Sequence, residues 1–148
     1  MKELVLKSDG NEVEYTITSS GFFLDDDGKL SISVESDLRE DDDESPREIC
    51  FCVENCEFRG VGEPIHITDR HDWKGKGAGP HAYVYSGFHH HFVDVRLVVK
   101  SHNKKEMEVE FTVVTDDVEY YDERATESGI VGTCSLIACD KGDLWNPA

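Results

Sequence analysis

The segment Glu106 to Val113 constrains the fold more than any other. Met107, Val109, Phe111 and Val113 alternate there with Glu106, Glu108, Glu110 and Thr112. Side chains along an extended strand point alternately to opposite faces, so this spacing gathers four apolar groups on one surface and three carboxylates on the other. A helix would scatter both sets around its axis. The segment therefore reads as a strand with one buried side. Just before it, His89, His91, Val93, Val95, Leu97 and Val99 share one parity, and Lys100 to Lys105 supplies a polar connection. The two strands are expected to pair as an antiparallel hairpin.

The same period recurs along the chain. Val13, Tyr15 and Ile17 alternate with polar residues, as do Leu30, Ile32 and Val34. Ser8-Asp9-Gly10-Asn11 and Asp25-Asp26-Asp27-Gly28 have the composition of tight hairpin turns. Further strands are read at Leu4 to Lys7, Phe22 to Leu24, Ile49 to Val53, Pro64 to Thr68, Ala82 to Ser86 and Ile130 to Cys139. Apolar positions spaced three and four apart are nearly absent, so at most one short helix is expected. Its candidate is Asp116 to Thr126, where acids crowd the start. The fold class is all-β, an antiparallel β-sandwich or partly open barrel of about eight to ten strands. The inner face is expected to include Val93, Val95, Leu97, Val109, Phe111 and Val113.

Length and composition fit one domain, residues 1–148. Hydrophobic residues make up 38% and aromatics 9% of the 148 residues, too much apolar material for a disordered chain. Only Leu4 to Leu6 is apolar near the start, so no secretory segment is read, and no run reaches membrane-spanning length. The five cysteines, Cys50, Cys52, Cys56, Cys134 and Cys139, are an odd number. Without an export signal this points to reduced thiols and a cytoplasmic location.

Charge excludes some partners and favours others. The formal net charge is −17, from 32 acids against 15 bases. A field of that sign repels nucleic acid and anionic lipid and draws in basic proteins or cations. The acids gather in Asp25 to Asp27, Glu40 to Glu44 and Asp116 to Glu123. The last run interleaves Asp116, Asp117, Glu119, Asp122 and Glu123 with Tyr120 and Tyr121. Carboxylates mixed with tyrosine suit contact with Arg and Lys of a protein partner, and these seven residues are the candidate partner-binding set. The plain alternative is a solvated acidic face.

Two groups of residues have metal-ligand chemistry. His89 and His91 lie two apart, so on a strand both imidazoles would face one way and could reach one transition-metal ion. His81, His66 or a carboxylate would supply a third ligand. The opposing reading is that these imidazoles line a strand end and hydrogen-bond to nearby acids. Cys50, Cys52 and Cys56 could begin a zinc site, yet no second paired unit follows. A strand buried on both faces, carrying inert thiols, explains the spacing as well. Gly75-Lys76-Gly77-Ala78-Gly79-Pro80 lacks the order of a phosphate-binding loop and reads as a surface loop.

No nucleophile motif and no family motif is recognised, so the reading leans away from an enzyme and assigns no cofactor. The functional expectation is an acidic protein-binding module. An immunity or inhibitor protein that neutralises a basic partner, such as a nuclease toxin, has this size and charge, an analogy of type only. The alternative is a metal-binding β-barrel protein with a His-x-His site.

Overall fold

The computed structural model describes residues 4–8, 10–40, 45–70, 80–87, 90, 92–115 and 127–145. They form nine strands: β1 (Leu4–Ser8), β2 (Asn11–Leu24), β3 (Lys29–Leu38), β4 (Glu48–Glu57), β5 (Ile65–Arg70), β6 (His81–Tyr85), β7 (Phe92–His102), β8 (Glu106–Thr115) and β9 (Ser128–Ala138). A single 3-10 turn, Lys141–Asp143, follows. The strands make one sheet in the order β5-β7-β8-β9-β1-β2-β3-β4-β6, curled into a nearly closed barrel. No described helix is long and apolar enough to cross a membrane. The Asp116 to Thr126 helix candidate lies outside the described residues.

Register follows the two-residue pattern. β7 and β8 pair antiparallel with Val95 opposite Val113 and Leu97 opposite Phe111. The six residues expected inside are all buried. Phe51 of β4 and Phe111 of β8 meet across the barrel with ring centroids 4.7 Å apart, so the interior at this level is filled with side chains. Fully burying each such ring contributes about 1.5–3 kcal/mol.

β1 has only five residues, and this shapes the middle of the sheet. It pairs with β2 on one side and β9 on the other, with Leu4 opposite both Tyr15 and Gly132. Both neighbours run antiparallel to β1 and extend past Leu4. There they meet in parallel, Gly21 opposite Ile137 and Phe22 opposite Ala138.

Two segments read as separate strands, Val13 to Ile17 and Phe22 to Leu24, are one continuous β2. A bulge between Ile17 and Ser19 shifts the register by one residue. The core-facing parity therefore changes from odd at Tyr15 to even at Phe22, and both side chains are buried. A second bulge alters β4. Ile32 lies opposite Val53, but Leu30 lies opposite Cys56, and Asn55 takes a positive φ of 56°. Cys56 consequently joins the core while Cys50 and Cys52, of the same parity in sequence, face outward. β4 runs on to Glu57, beyond the Val53 end read from sequence, and is buried on both faces over Ile49 to Val53.

Outward-facing Cys52 is buried, and it shares a small cavity with Lys141, Leu144 and Trp145. Residues 139–145 form a strap over the outer surface of β2, β3 and β4. Cys139 N–H donates to the Phe22 carbonyl at 3.0 Å. Lys141 Nζ donates to Asn55 Oδ1 at 2.9 Å, and Trp145 N–H to Ser33 Oγ at 3.1 Å. The Trp145 ring lies 6.5 Å from that of Tyr85 on β6.

Candidate functional site

The sequence-derived site residues are placed unequally. His89 and His91, and the partner-binding set Asp116, Asp117, Glu119, Tyr120, Tyr121, Asp122 and Glu123, lie outside the described residues. His81 opens β6 and His66 stands on β5. Among the described residues no group of three or more His, Cys, Asp or Glu side chains is arranged to hold a metal ion. His66 Nε2 instead contacts Asp94 Oδ1 at 2.6 Å, and Thr68 Oγ1 donates to the same oxygen at 2.6 Å. Asp94 is also 3.8 Å from the Arg96 guanidinium. Partial burial raises the Asp94 pKa, but the hydrogen bonds from Thr68 and His66 and the charges of His66 and Arg96 outweigh it, holding the carboxyl below its usual value.

The barrel ladder is interrupted between β5 and β6, the two ends of the sheet. Side chains bridge the interruption. Asp69 of β5 accepts the Ala82 N–H at 3.1 Å and contacts His81 Nδ1 at 3.2 Å, both through Oδ2. A carboxylate only accepts, so Nδ1 of His81 carries the proton in this contact.

A second bridge was not foreseen from the sequence. His90, the middle residue of the three consecutive histidines, is 0% exposed. Its N–H donates to the Val84 carbonyl at 3.1 Å. Its ring lies between Ser86 Oγ, 2.6 Å from Nε2, and Thr115 Oγ1, 2.9 Å from Nδ1. Thr115 gives its single hydroxyl proton to the Phe92 carbonyl at 2.8 Å, so it accepts from Nδ1–H. In the neutral ring, Nε2 then accepts the Ser86 hydroxyl proton. This chain of hydrogen bonds ties the end of β6 to β8 and to the start of β7. No sequence signal marked it, because strand parity singles out residues 89 and 91.

Two of the buried thiols, Cys50 and Cys56, are set up to be inert. Burial, reinforced by the charges of Glu48 and Glu35, pushes the Cys50 thiol up to about 12. Burial pushes Cys56 up to about 11. At neutral pH neither carries useful thiolate character. All five cysteines are free.

The outer face of β8 and β9 has a different character. Glu106, Glu108 and Glu110 are exposed along one edge-on row, spaced about 7 Å apart by the strand rise. Opposite them on β9 stand Ile137, Ser135 and Thr133 respectively. Glu110 pairs with Lys100 Nζ at 3.0 Å. Glu106 and Glu108 make no ion pair with the described residues. Ile137 is 53% exposed, one of two large hydrophobic residues so exposed among those described, the other being Val61. Among the described residues the surface thus combines an apolar contact point on the sheet with two carboxylates that no cation pairs. A scan of protein-family models returns no match for this chain, and neither the curated proteins nor the solved structures yield one.

Proposed function

We propose that the protein is a non-enzymatic binding module whose acidic surface engages a basic protein partner, in the manner of an immunity or inhibitor protein. The observation that carries this reading is the row Glu106, Glu108 and Glu110 on β8 beside the exposed Ile137 of β9. Like charges held in line on one strand repel each other and gain from a cationic partner. The field of a chain with net charge −17 would speed encounter with such a surface, and Ile137 would give the contact an apolar centre. Strands hold the backbone of these residues at fixed spacing, so the ordering cost of binding falls on their side chains alone. Five free thiols suit a reducing compartment, and we assign the module to the cytoplasm.

The reading is tested by measuring association with a panel of basic proteins, cationic nucleases included, at low and high salt. Binding is expected to weaken steeply with salt, and the double substitution Glu106→Lys with Glu108→Lys to weaken it by about tenfold or more at low salt. Ile137→Asp should shorten complex lifetime more than it slows association. A partner held equally well by the charge-reversed protein would place the interface elsewhere.

A further inference from the structure

The interruption in the barrel leaves space at one end. β6 pairs with β4 from Cys50 opposite Tyr85 to Glu54 opposite His81, and its ladder stops there. β4 continues to Glu57 with no described strand on that side, and β5 closes the other end of the sheet. A half-open cleft of about 350 Å³ lies between them. Its floor includes Ile65 and Ile67, which also belong to the core, and Pro64 and Pro80 stand in its walls. Glu57, Arg59 and His66 provide its polar lining.

We propose that this cleft binds a small amphipathic carboxylate. A short aliphatic chain lies over Ile65 and Ile67, and the carboxylate head meets the Arg59 guanidinium. The volume sits at the lower end of the range of about 300–1,000 Å³ for small-molecule sites, which suits a ligand of a few carbons. Proline has no N–H, so two wall positions offer ring carbon and no backbone donor. The head group follows from the rim. His66 is already engaged by Asp94 at 2.6 Å. Arg59 Nη2 reaches Glu57 Oε2 at 3.5 Å, well beyond the roughly 2.7–2.9 Å of a strong charge-assisted bond. A guanidinium has five donors in a planar fork, so Arg59 can take a ligand carboxylate beside Glu57 or in its place. The net negative charge of the chain opposes any anion at long range. At physiological ionic strength that field is screened beyond about 8 Å, while the Arg59 guanidinium stands in the lining itself.

Hexanoate is the probe, titrated at neutral pH against the full chain while backbone amide shifts are followed by NMR, with hexanol and hexylamine as comparators. Saturable binding with a dissociation constant on the order of millimolar is expected for a ligand of this size. The shifts should centre on Glu57, Arg59 and Ile65 to Ile67. Hexanol, which keeps the chain and loses the charge, should bind about tenfold more weakly, and Arg59→Ala should cut hexanoate affinity to the hexanol level. Arg59 is exposed, so this variant keeps the fold, and its amide spectrum away from the cleft confirms that. The proposal is overturned if hexanoate does not saturate, if hexanol or hexylamine binds as well, if Arg59→Ala leaves the affinity unchanged, or if the shifts fall on another surface.

Discussion

Asp69 of β5 accepts the backbone N–H of Ala82 on β6 at 3.1 Å, so a side chain stands where a closed barrel would place a strand carbonyl. The same oxygen holds His81 Nδ1 at 3.2 Å. One carboxylate thus satisfies donors from two successive residues of an edge strand, and an edge that would otherwise present open N–H groups is partly capped.

Removing that acceptor takes a charge-assisted hydrogen bond from each of these groups in a partly buried place. Asp69→Ala is expected to lower stability by about 1–3 kcal/mol, and Asp69→Asn by less, because the amide oxygen can still accept from Ala82. Denaturant midpoints measure the loss, and hydrogen exchange at the Ala82 amide locates it. A variant that keeps the parent midpoint and the parent Ala82 exchange rate would show that the seam closes without this carboxylate.

Asp94 makes a prediction about acid. Its hydrogen bonds from Thr68 and His66, with the neighbouring charges of His66 and Arg96, hold the folded carboxyl below its usual 3.8 despite the opposing effect of burial. A group whose folded pKa is depressed binds fewer protons in the native state than in the unfolded state. Its contribution is present above about pH 4 and is lost as pH falls through the folded value. Asp94→Asn removes that titration. Unfolding free energies measured by urea at a series of pH values should fall more steeply for the parent than for Asp94→Asn between about pH 5 and pH 3, and the two curves should approach each other in acid. Parallel curves across that window would mean that the Asp94 contacts carry no net linkage.

How much of this was readable in advance depended on whether period two stayed unbroken. β7 and β8 alternate without interruption over Val93 to Val99 and Met107 to Val113, and their buried faces and antiparallel pairing are legible from the spacing, whereas their register is not. β2 was divided in two because its bulge after Ile17 exchanges the faces, and an inserted residue leaves no compositional mark there. The spacing reads Cys56 as past the end of a strand that stops at Val53; β4 instead runs on through a bulge, where Asn55 adopts a left-handed conformation open to asparagine but not announced by it, and Cys56 turns into the core. The bridging roles of Asp69 and His90 depend on which strands meet at the seam, a long-range property of the barrel that local spacing does not encode. The acidic row of β8 was evident from the outset. Its neighbour Ile137 was not, because β9 carries apolar residues on both parities near its end.

Gly21 marks the point where the strap crosses β2, and it is where a single methyl group should lift the strap. A Cβ placed there would lie 2.9 Å from Cys139 Sγ, 3.2 Å from Leu144 Cδ2 and 3.3 Å from the Ile137 carbonyl oxygen. The carbonyl belongs to the β2–β9 pairing and cannot move far, so the two strap side chains must give way. Overpacking of this kind costs about 1–3 kcal/mol where the surroundings hold firm, and less where the packed segment can lift away. Cys52 is the reporter, since it shares a cavity of about 30 Å³ with Leu144 and Trp145 beneath the strap. In the folded parent, Cys139 is the least buried thiol, and burial together with Asp143 and Asp140 raises its pKa, so only slow reaction with a thiol reagent is expected near neutral pH. Gly21→Ala should expose Cys52 as a second reacting thiol without unfolding the barrel. Gly142→Ala, where an added Cβ meets nothing within 4 Å, should leave reactivity at the parent level. Mass spectrometry of the labelled protein distinguishes the two sites. If Cys52 stays protected in Gly21→Ala while global stability falls, the methyl group has strained the sheet and the strap has held.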